Sequence, residues 1–190
     1  MIATSPDKIV WTTADLELFP EDGKRYEIIE GELFVTRAPH WEHQEISASI
    51  AAELRAWCIK MGSGRVATAP GVIFSEADSV IPDVVWVSGE RFQDIIDRAG
   101  HLIDTPELVA EVLSKSAADR KRDYELKLKL YSARGVREYW IFDLKTKSVQ
   151  VYRRDRGILK LAVTLFEKDE LTSPLLPDFD CAIEKFFYYV

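Results

Sequence analysis

The sequence predicts an α/β protein of the mixed α+β kind, in which a mixed β-sheet is flanked by helices and β-hairpins lie near both ends of the chain. Helical and extended segments alternate through its middle, and turn-linked pairs of short strands lie toward its ends. No glycine-rich loop opens a helix, so a doubly wound nucleotide-binding sheet is not indicated. A chain of 190 residues, 47% of them hydrophobic, can bury one core, and a single domain over residues 1–190 is expected.

The first predicted elements are a short helix and a β-hairpin. Thr12 or Thr13 can cap a helix over residues 14–18, inside an N-terminal extension that ends at residue 24. The stretch YEIIEGELFV, residues 26–35, contains two extended segments around Gly31, which supplies the positive φ that a tight turn needs. The pattern predicts an N-terminal hairpin.

A long amphipathic helix and then a run of strands follow the hairpin. Apolar residues recur at helical spacing over residues 41–61, and Gly62 ends the run. A second long helix is predicted between Ser116, with Asp119 completing a capping box, and Gly135. The remaining predicted elements are strands at residues 65–69, 72–75, 84–87, 107–113, 137–144 and from residue 148, and a helix at residues 91–99.

Composition and charge exclude several classes of protein. A formal net charge of -7 argues against a generally cationic surface, so any contact with nucleic acid must be local. Cys58 and Cys181 match no metal-ligand spacing, which favours a reducing compartment. No uncharged apolar stretch approaches the roughly 18 residues that span a bilayer, and the N-terminus lacks a signal-like apolar segment. The sequence therefore predicts a soluble, cytoplasmic protein with no membrane partner.

Two acidic residues stand inside apolar segments that are predicted to be strands. Asp83 in VIPDVVWV and Glu111 in ELVAEVL each alternate with valine or leucine, so each projects among apolar side chains. If the two strands are neighbours, these side chains lie about 4.5 to 5.5 Å apart, close enough to share one hard cation. Burying an ionised carboxylate without a partner is costly, and Mg²⁺ or Mn²⁺ would let both acids stay ionised.

A simpler explanation exists for each acid taken alone. Asp83 can cap a turn after Pro82, and Glu111 can pair with a buried arginine. That explanation is preferred for either residue singly. The two acids together, in this order along the chain, favour a metal site.

A cationic third member of the site is expected on the helix after the second acid. At about 100° per residue, Lys127 falls on the same side as Tyr124 and Tyr131, whereas Lys129 falls on the solvent side. The ammonium of Lys127 could then reach the carboxylates while its stem packs between aromatic rings. An ordinary ion pair with Asp123, one helical turn earlier, explains this lysine equally well.

Other charged residues give weaker signals. His40 and His43 open the first long helix three residues apart, but without a cysteine or acidic motif a surface or packing role is favoured over metal binding. A basic strip near the second acid could contact phosphates or could be a solvated face. Its members are Arg120, Lys121, Arg122, Lys127, Lys129, Arg134 and Arg137.

These residues together resemble the PD-(D/E)XK nuclease superfamily and, within it, the Uma-type family of restriction-endonuclease-like proteins. The similarity extends from residue 25 to about residue 152. The matching stretches are YEIIEGEL (26–33), the His43-Gln44 pair, Pro82-Asp83, EVLS (111–114), the series Asp123, Lys127 and Tyr131 at four-residue intervals, and GVREYWIFD (135–143).

The resemblance implies a restriction-endonuclease-like core and a divalent-metal-dependent endonuclease that hydrolyses DNA phosphodiester bonds. Asp83, Glu111 and the backbone carbonyl of Val112 would bind Mg²⁺ or Mn²⁺. Lys127 would orient the attacking water or stabilise the developing charge. Cutting both strands of a duplex usually needs two sites, so a homodimer is the expectation from mechanism.

Further residues are expected to support this site. Either Glu27 or Glu30 could supply an additional acid, and Glu27 is preferred because Glu30 precedes Gly31 and therefore indicates a turn. The resemblance places His43 and Tyr131 near the same cleft, although packing remains the more conservative role for His43.

Two positions depart from the family pattern. Leu113 stands where the superfamily usually has its lysine, so the chemistry requires Lys127 to act from the neighbouring helix, and Lys115 stands where a proline is common. An alternative is therefore a binding or assembly module that keeps the nuclease fold without turnover. A nuclease acting on RNA or branched DNA is a less favoured third hypothesis.

Overall fold

The computed structural model describes residues 9–113, 120 and 122–188, and for residues 122 and 123 it describes the backbone alone. The strands are β1 (Arg25–Ile29), β2 (Glu32–Thr36), β3 (Arg65–Thr68), β4 (Val72–Ser75), β5 (Asp78–Val80), β6 (Val84–Val87), β7 (Leu108–Val112), β8 (Glu138–Asp143), β9 (Ser148–Asp155), β10 (Ile158–Leu165), β11 (Glu170–Ser173) and β12 (Leu176–Ala182). The α-helices are α1 (Trp41–Met61), α2 (Gly89–Ile95) and α3 (Lys127–Arg134), with a π-helical turn at Arg122–Leu126 and 3-10 helices at Thr13–Leu18 and Ile183–Phe186.

The N-terminal elements form as the sequence predicts. Thr12 precedes the first 3-10 helix, and the Asp15 carboxylate accepts hydrogen bonds from the Thr12 N–H and hydroxyl at 2.7 and 2.8 Å. β1 and β2 pair antiparallel through a two-residue turn at Glu30 and Gly31, whose φ angles are 51° and 73°. Two successive left-handed residues match the twist of a hairpin, which confirms the role predicted for the glycine.

Two sheets carry most of the described chain. The larger has six strands in the order β10-β9-β8-β7-β6-β3, in which β7 and β8 run parallel and the other neighbours run antiparallel. The smaller has the order β2-β1-β5-β4, and β11 and β12 form a separate hairpin. The predicted mixed sheet, flanked by helices and with hairpins toward both ends, is confirmed.

The two faces of the six-stranded sheet bury different partners. Alternate side chains such as Val84, Ala110 and Trp140 face α1 and the C-terminal hairpin. The intervening side chains, such as Val109 and Ile141, face α3 and the small sheet. Because Glu111 has the parity of Val109, it lies on the second face, between the large sheet and α3.

Three elements differ from the sequence-based expectation. The strand β5 was not predicted, because three residues are too few to show a period. The helix predicted at residues 91–99 is the shorter α2, since Ile96 is extended and residues 97–101 close a turn on Asp97. The helix ending at Gly135 is π-helical over Arg122–Leu126, so the angle of 100° per residue fails over that segment. The predicted Ser116 cap, with Asp119, and Lys115 lie outside the described residues.

The long helix and the cysteines agree with the sequence. α1 ends at Gly62, which is left-handed with a φ of 65°. Cys58 and Cys181 are both free thiols, and burial raises the pKa of Cys181 to about 12. Such a thiol is protonated at neutral pH and is not a nucleophile. None of the helices in the described part of the chain is long and apolar enough to cross a membrane.

Candidate functional site

The residues singled out in the sequence come from four different elements. Glu27 lies on β1, Asp83 immediately precedes β6, Glu111 lies on β7, and Lys127 is the first residue of α3. β6 and β7 are neighbours, with Val84 opposite Ala110. One further step along this antiparallel register puts Asp83 opposite Glu111. The two acids therefore lie side by side at the ends of neighbouring strands, as a shared cation would require.

Lys127 joins two of the acids across the face of the sheet. Its Nζ lies 2.9 Å from Oε1 of Glu111 and 3.1 Å from Oε1 of Glu27. All three residues are almost fully buried, with 2 to 3% of their surface exposed. The same oxygen of Glu27 accepts the N–H of Ile81 at 2.9 Å. The lysine therefore ties α3 to both sheets, and its charge is enclosed by carboxylates rather than by water.

Lys127 lies on the buried side of α3, as the sequence predicts, but one of the aromatic neighbours predicted for it does not. Lys127 and Tyr131 are one α-helical turn apart and both are buried. Tyr124 precedes them in the π-helical turn and is 38% exposed, so it does not flank the buried lysine as the ideal wheel suggested. Lys129 is exposed, as the sequence predicts, and pairs with Glu30 at 2.6 Å.

Tyr131 fixes the position of Glu111 from the same helix. Its hydroxyl donates to Oε1 of Glu111 at 2.7 Å, and its ring is fully buried. Burial first, and then the negative charge of Glu111, raise the pKa of Tyr131 well above its usual value. The hydroxyl consequently remains protonated and donates throughout the pH range in which the protein would work.

Removing this hydroxyl gives a first testable expectation. Tyr131→Phe keeps the ring and loses a hydrogen bond to an ionised acceptor, so the free energy of unfolding should fall by about 1.5 to 3 kcal/mol. Tyr152→Phe is the matched control, because the Tyr152 hydroxyl donates to another neutral hydroxyl, that of Tyr124. Its loss should be about 1 kcal/mol or less by urea unfolding. Equal losses in the two variants would contradict a charged Glu111 acceptor.

Asp83 is held by three donors from three directions. Its Oδ2 accepts the N–H of Val112 at 2.9 Å and lies 3.1 Å from Nε2 of His43, while Oδ1 accepts from Nη1 of Arg25 at 3.1 Å. Burial would raise the pKa of Asp83, but the hydrogen bond and charge of His43, followed by the charge of Lys127 and the Val112 N–H, outweigh it. The pKa lies well below its ordinary value, so the carboxylate is ionised.

Arg25 is the contact that sequence reasoning missed. It begins β1 next to a loop, where an arginine would ordinarily be solvated, and nothing in its local pattern marks it as a partner of Asp83. His43 contacts the same acid rather than serving for packing alone. Its Nδ1 is buried without a hydrogen-bond partner among the described residues, which is unusual for a polar atom. His40 is exposed and lies beside Glu42.

The predicted basic strip is largely neutralised where its side chains are described. Arg120 pairs with Asp143 through two hydrogen bonds at 3.0 and 2.8 Å, and Arg134 pairs with Asp78. Lys127 and Lys129 are paired as described above. Lys121 and the side chain of Arg122 lie outside the described part. Arg137 is exposed, and among the strip members whose side chains are described most are paired with carboxylates.

The donor atoms of this cluster suit a hard divalent cation in kind. Carboxylate oxygens of Asp83 and Glu111, and a backbone carbonyl at Val112, are the ligands that Mg²⁺ and Mn²⁺ prefer. Within the described ranges, no three histidine, cysteine or acidic side chains already converge as a ligand set. The acids instead contact protein cations, so metal binding would require Glu111 to exchange part of its contact with Lys127 for the ion.

Known proteins resemble this chain over nearly its whole length. The Uma2 family model, described as "Putative restriction endonuclease", matches residues 13–184. A solved structure described as "a putative nuclease belonging to DUF820" from Anabaena variabilis aligns with a TM-score of 0.73 and 18% identity, over 93% of this chain and 97% of that one. The type IIG restriction endonuclease BpuSI aligns with a TM-score of 0.45 and 12% identity, over 79% of this chain and 16% of its own. No curated protein matches the chain.

The family model shows the family of this chain, and the alignment with the Anabaena protein shows its fold. The alignment with the Anabaena protein identifies a restriction-endonuclease-like nuclease fold. The family model covers every strand of both sheets and all the elements that supply Glu27, Asp83, Glu111 and Lys127. The chain therefore belongs to the Uma2 family, which is described as "Putative restriction endonuclease".

Proposed function

We propose that this protein is a divalent-metal-dependent endonuclease that hydrolyses phosphodiester bonds of DNA. The observation that carries the proposal is the buried ammonium of Lys127 between Glu111 and Glu27, on the sheet face where Asp83 lies opposite Glu111. A buried lysine held by two carboxylates, beside a third that is kept ionised, is expensive to build for stability alone. Perturbed and clustered ionisable groups of this kind are typical of functional sites.

Asp83, Glu111 and the Val112 carbonyl are the groups that would hold the metal ion. A bound Mg²⁺ or Mn²⁺ would supply Lewis acidity for a water nucleophile and neutralise charge on the phosphate. Val112 is suited to this position because its N–H is bonded to Asp83, and because the Leu113 N–H, in the same peptide group as the Val112 carbonyl, is bonded to the Phe142 carbonyl at 2.8 Å. His43 and Arg25 orient Asp83 and keep its charge.

Lys127 serves the substrate side of the reaction. Its ammonium keeps Glu111 ionised and places a positive charge where negative charge develops on a phosphate. Glu27 and Tyr131 hold that arrangement, since Glu27 forms an ion pair with the lysine and Tyr131 donates to Glu111. The helix thereby supplies the function for which the superfamily pattern would use position 113, where this chain has Leu113.

Metal binding provides the first test of this function. Mn²⁺ at millimolar concentration should raise the thermal unfolding midpoint of the wild type, because an ion that binds only the folded state stabilises it by mass action. Glu111→Gln should abolish most of the shift. Glu30→Gln is the matched control, since Glu30 is an exposed glutamate paired with Lys129, and it should keep the full shift.

A non-catalytic binding module is the second candidate. It is favoured by the pairing of Asp83 and Glu111 with protein cations in the described structure, and by the net charge of -7. Under that candidate, neither Mn²⁺ nor Mg²⁺ would shift the unfolding midpoint of any variant. We also propose that a nuclease cutting both strands acts as a homodimer, and sedimentation that shows only monomer with DNA present would contradict it.

A further inference from the structure

A cavity of about 320 Å³ opens beside the site on the same face of the six-stranded sheet. Its lining includes Leu113 at the end of β7, Gln150 of β9, Thr164 of β10, and the aromatic side chains of Tyr124 and Phe166. The volume lies at the lower end of the range for small-molecule sites, so the cavity suits one small planar group rather than a large ligand.

Strand register connects this cavity to Glu111. Glu111 is paired with Ile141, Ile141 with Gln150, and Gln150 with Thr164. Partners in register project from the same face of a sheet, so these four side chains form one row. Because neighbouring strands are about 4.8 Å apart, the cavity begins roughly one strand from Glu111 and ends about 14 Å away. That distance is of the order of a nucleotide or two from the reacting phosphate.

The cavity wall combines aromatic surface with hydrogen-bonding groups. Phe166 is 54% exposed and Tyr124 is 38% exposed, which is high for large apolar rings. Gln150 can both donate and accept, and the Thr164 hydroxyl can do the same. Proteins hold an unstacked base by stacking it on an aromatic ring and by forming hydrogen bonds to the edge of the base.

The charge of the cavity also permits a polyanion. The guanidinium of Arg120 holds both carboxylate oxygens of Asp143, at 3.0 and 2.8 Å. Both residues line the cavity, and the pair neutralises the acid. The hydrogen bond from Arg120 lowers the pKa of Asp143, so the pair persists at neutral pH. A DNA strand with its base in the cavity would therefore meet no uncompensated carboxylate there.

We propose that this cavity receives one unpaired nucleobase of the DNA strand whose phosphodiester bond lies at Glu111 and Lys127. The inference rests on the proposed function and deepens it, because it makes the substrate a single strand or a nucleotide flipped out of a duplex. Phe166 and Tyr124 provide the stacking surface, and Gln150 and Thr164 meet the edge of the base.

The test is the affinity of a short single-stranded oligodeoxynucleotide, measured by fluorescence anisotropy in EDTA so that no cutting occurs. Thr164→Phe fills the cavity and should weaken binding at least about 5-fold, the loss that corresponds to one base stacked on protein. Val163→Phe is the matched control, since Val163 pairs with Val151 and projects from the other face of β10. It should bind within about twofold of the wild type.

A second variant and a second ligand separate a base pocket from a phosphate contact. Phe166→Ala removes stacking surface without filling the cavity and should also weaken binding about 5-fold. An abasic oligonucleotide with the same number of phosphates should bind the wild type, Thr164→Phe and Phe166→Ala equally. Thermal unfolding of each variant shows that it is folded.

The outcomes distinguish the pocket from the nuclease. Three results would overturn the pocket. Thr164→Phe and Phe166→Ala could bind the single strand as tightly as the wild type, or they could lose as much affinity for the abasic strand as for the normal one. The third result is a wild type that binds no strand. If the wild type nicks plasmid in Mg²⁺ but Thr164→Phe and Phe166→Ala bind the single strand as tightly as the wild type, the nuclease is supported and the pocket is overturned. Variant-sensitive binding without nicking in any metal would leave the pocket standing and overturn the nuclease.

Discussion

Lys127→Met is expected to cause the largest combined loss of stability and activity in this protein. Methionine preserves much of the stem but removes the ammonium, which leaves the carboxylates of Glu27 and Glu111 buried without its charge. Breaking a buried ion pair on one side costs about 3 to 5 kcal/mol. Nicking activity should fall at least about 100-fold, because a preorganised charge at the reacting group is lost.

The matched control for this change is Lys129→Met, two residues further along the same helix. Lys129 is exposed and its pair with Glu30 is a surface pair, so its replacement should change the free energy of unfolding by less than about 1 kcal/mol. Urea unfolding and plasmid nicking of both variants measure the two effects. A Lys127→Met protein that matched Lys129→Met in both assays would contradict the assignment of Lys127.

Asp83→Asn is expected to abolish activity while keeping the fold, whereas Asp83→Ala should damage both. The single carbonyl oxygen of asparagine can still accept from Val112 and His43, its NH2 then faces Arg25, whose side chain is 22% exposed and can turn to solvent, and the negative charge required for a metal ligand is lost. Alanine leaves these buried donors unsatisfied and should cost about 3 to 5 kcal/mol. Two clustered acids that merely repelled each other would predict a similar or higher unfolding midpoint for Asp83→Ala. The three donors to Asp83 predict the opposite.

The effect of Asp83 on stability should depend on pH in one direction. Its folded-state pKa lies below the unfolded value of about 3.9, so its contribution is complete above that pH and declines as pH falls through the folded-state pKa. The stability difference between wild type and Asp83→Asn should therefore shrink as the pH falls below about 4. Urea unfolding between about pH 5 and pH 3 measures it, and a difference that grew on acidification would show that the carboxylate is not stabilised as an anion.

The sequence was informative where side-chain parity or glycine conformation decides the structure. Gly31 marked the hairpin turn, and the alternation around Asp83 and Glu111 predicted that each acid projects among apolar side chains, while the structure supplies the adjacency of the two strands. Which side chains share a face of a strand is a local property, so it does not depend on what the strand packs against. The same holds for Lys127, whose burial follows from the apolar stripe of α3.

Features that depend on tertiary contacts could not be predicted. Arg25 reaches Asp83 across 58 positions of sequence, and only the packing of the small sheet on the large one brings them together. The strand β5 pairs with β1 and β4, and its buried Asp78 is paired with Arg134 from α3. The π-helical turn before Lys127 has no distinct sequence period, which is why Tyr124 was placed beside the lysine instead of at the neighbouring cavity.

Nicking of supercoiled plasmid DNA tests the central claim most directly. Purified wild type should nick the plasmid in Mg²⁺ or Mn²⁺ and not in EDTA, while Asp83→Asn and Glu111→Gln should be inactive and Glu30→Gln fully active. Cutting that persisted in EDTA, or that survived in Asp83→Asn and Glu111→Gln, would contradict a metal-dependent centre at these two acids.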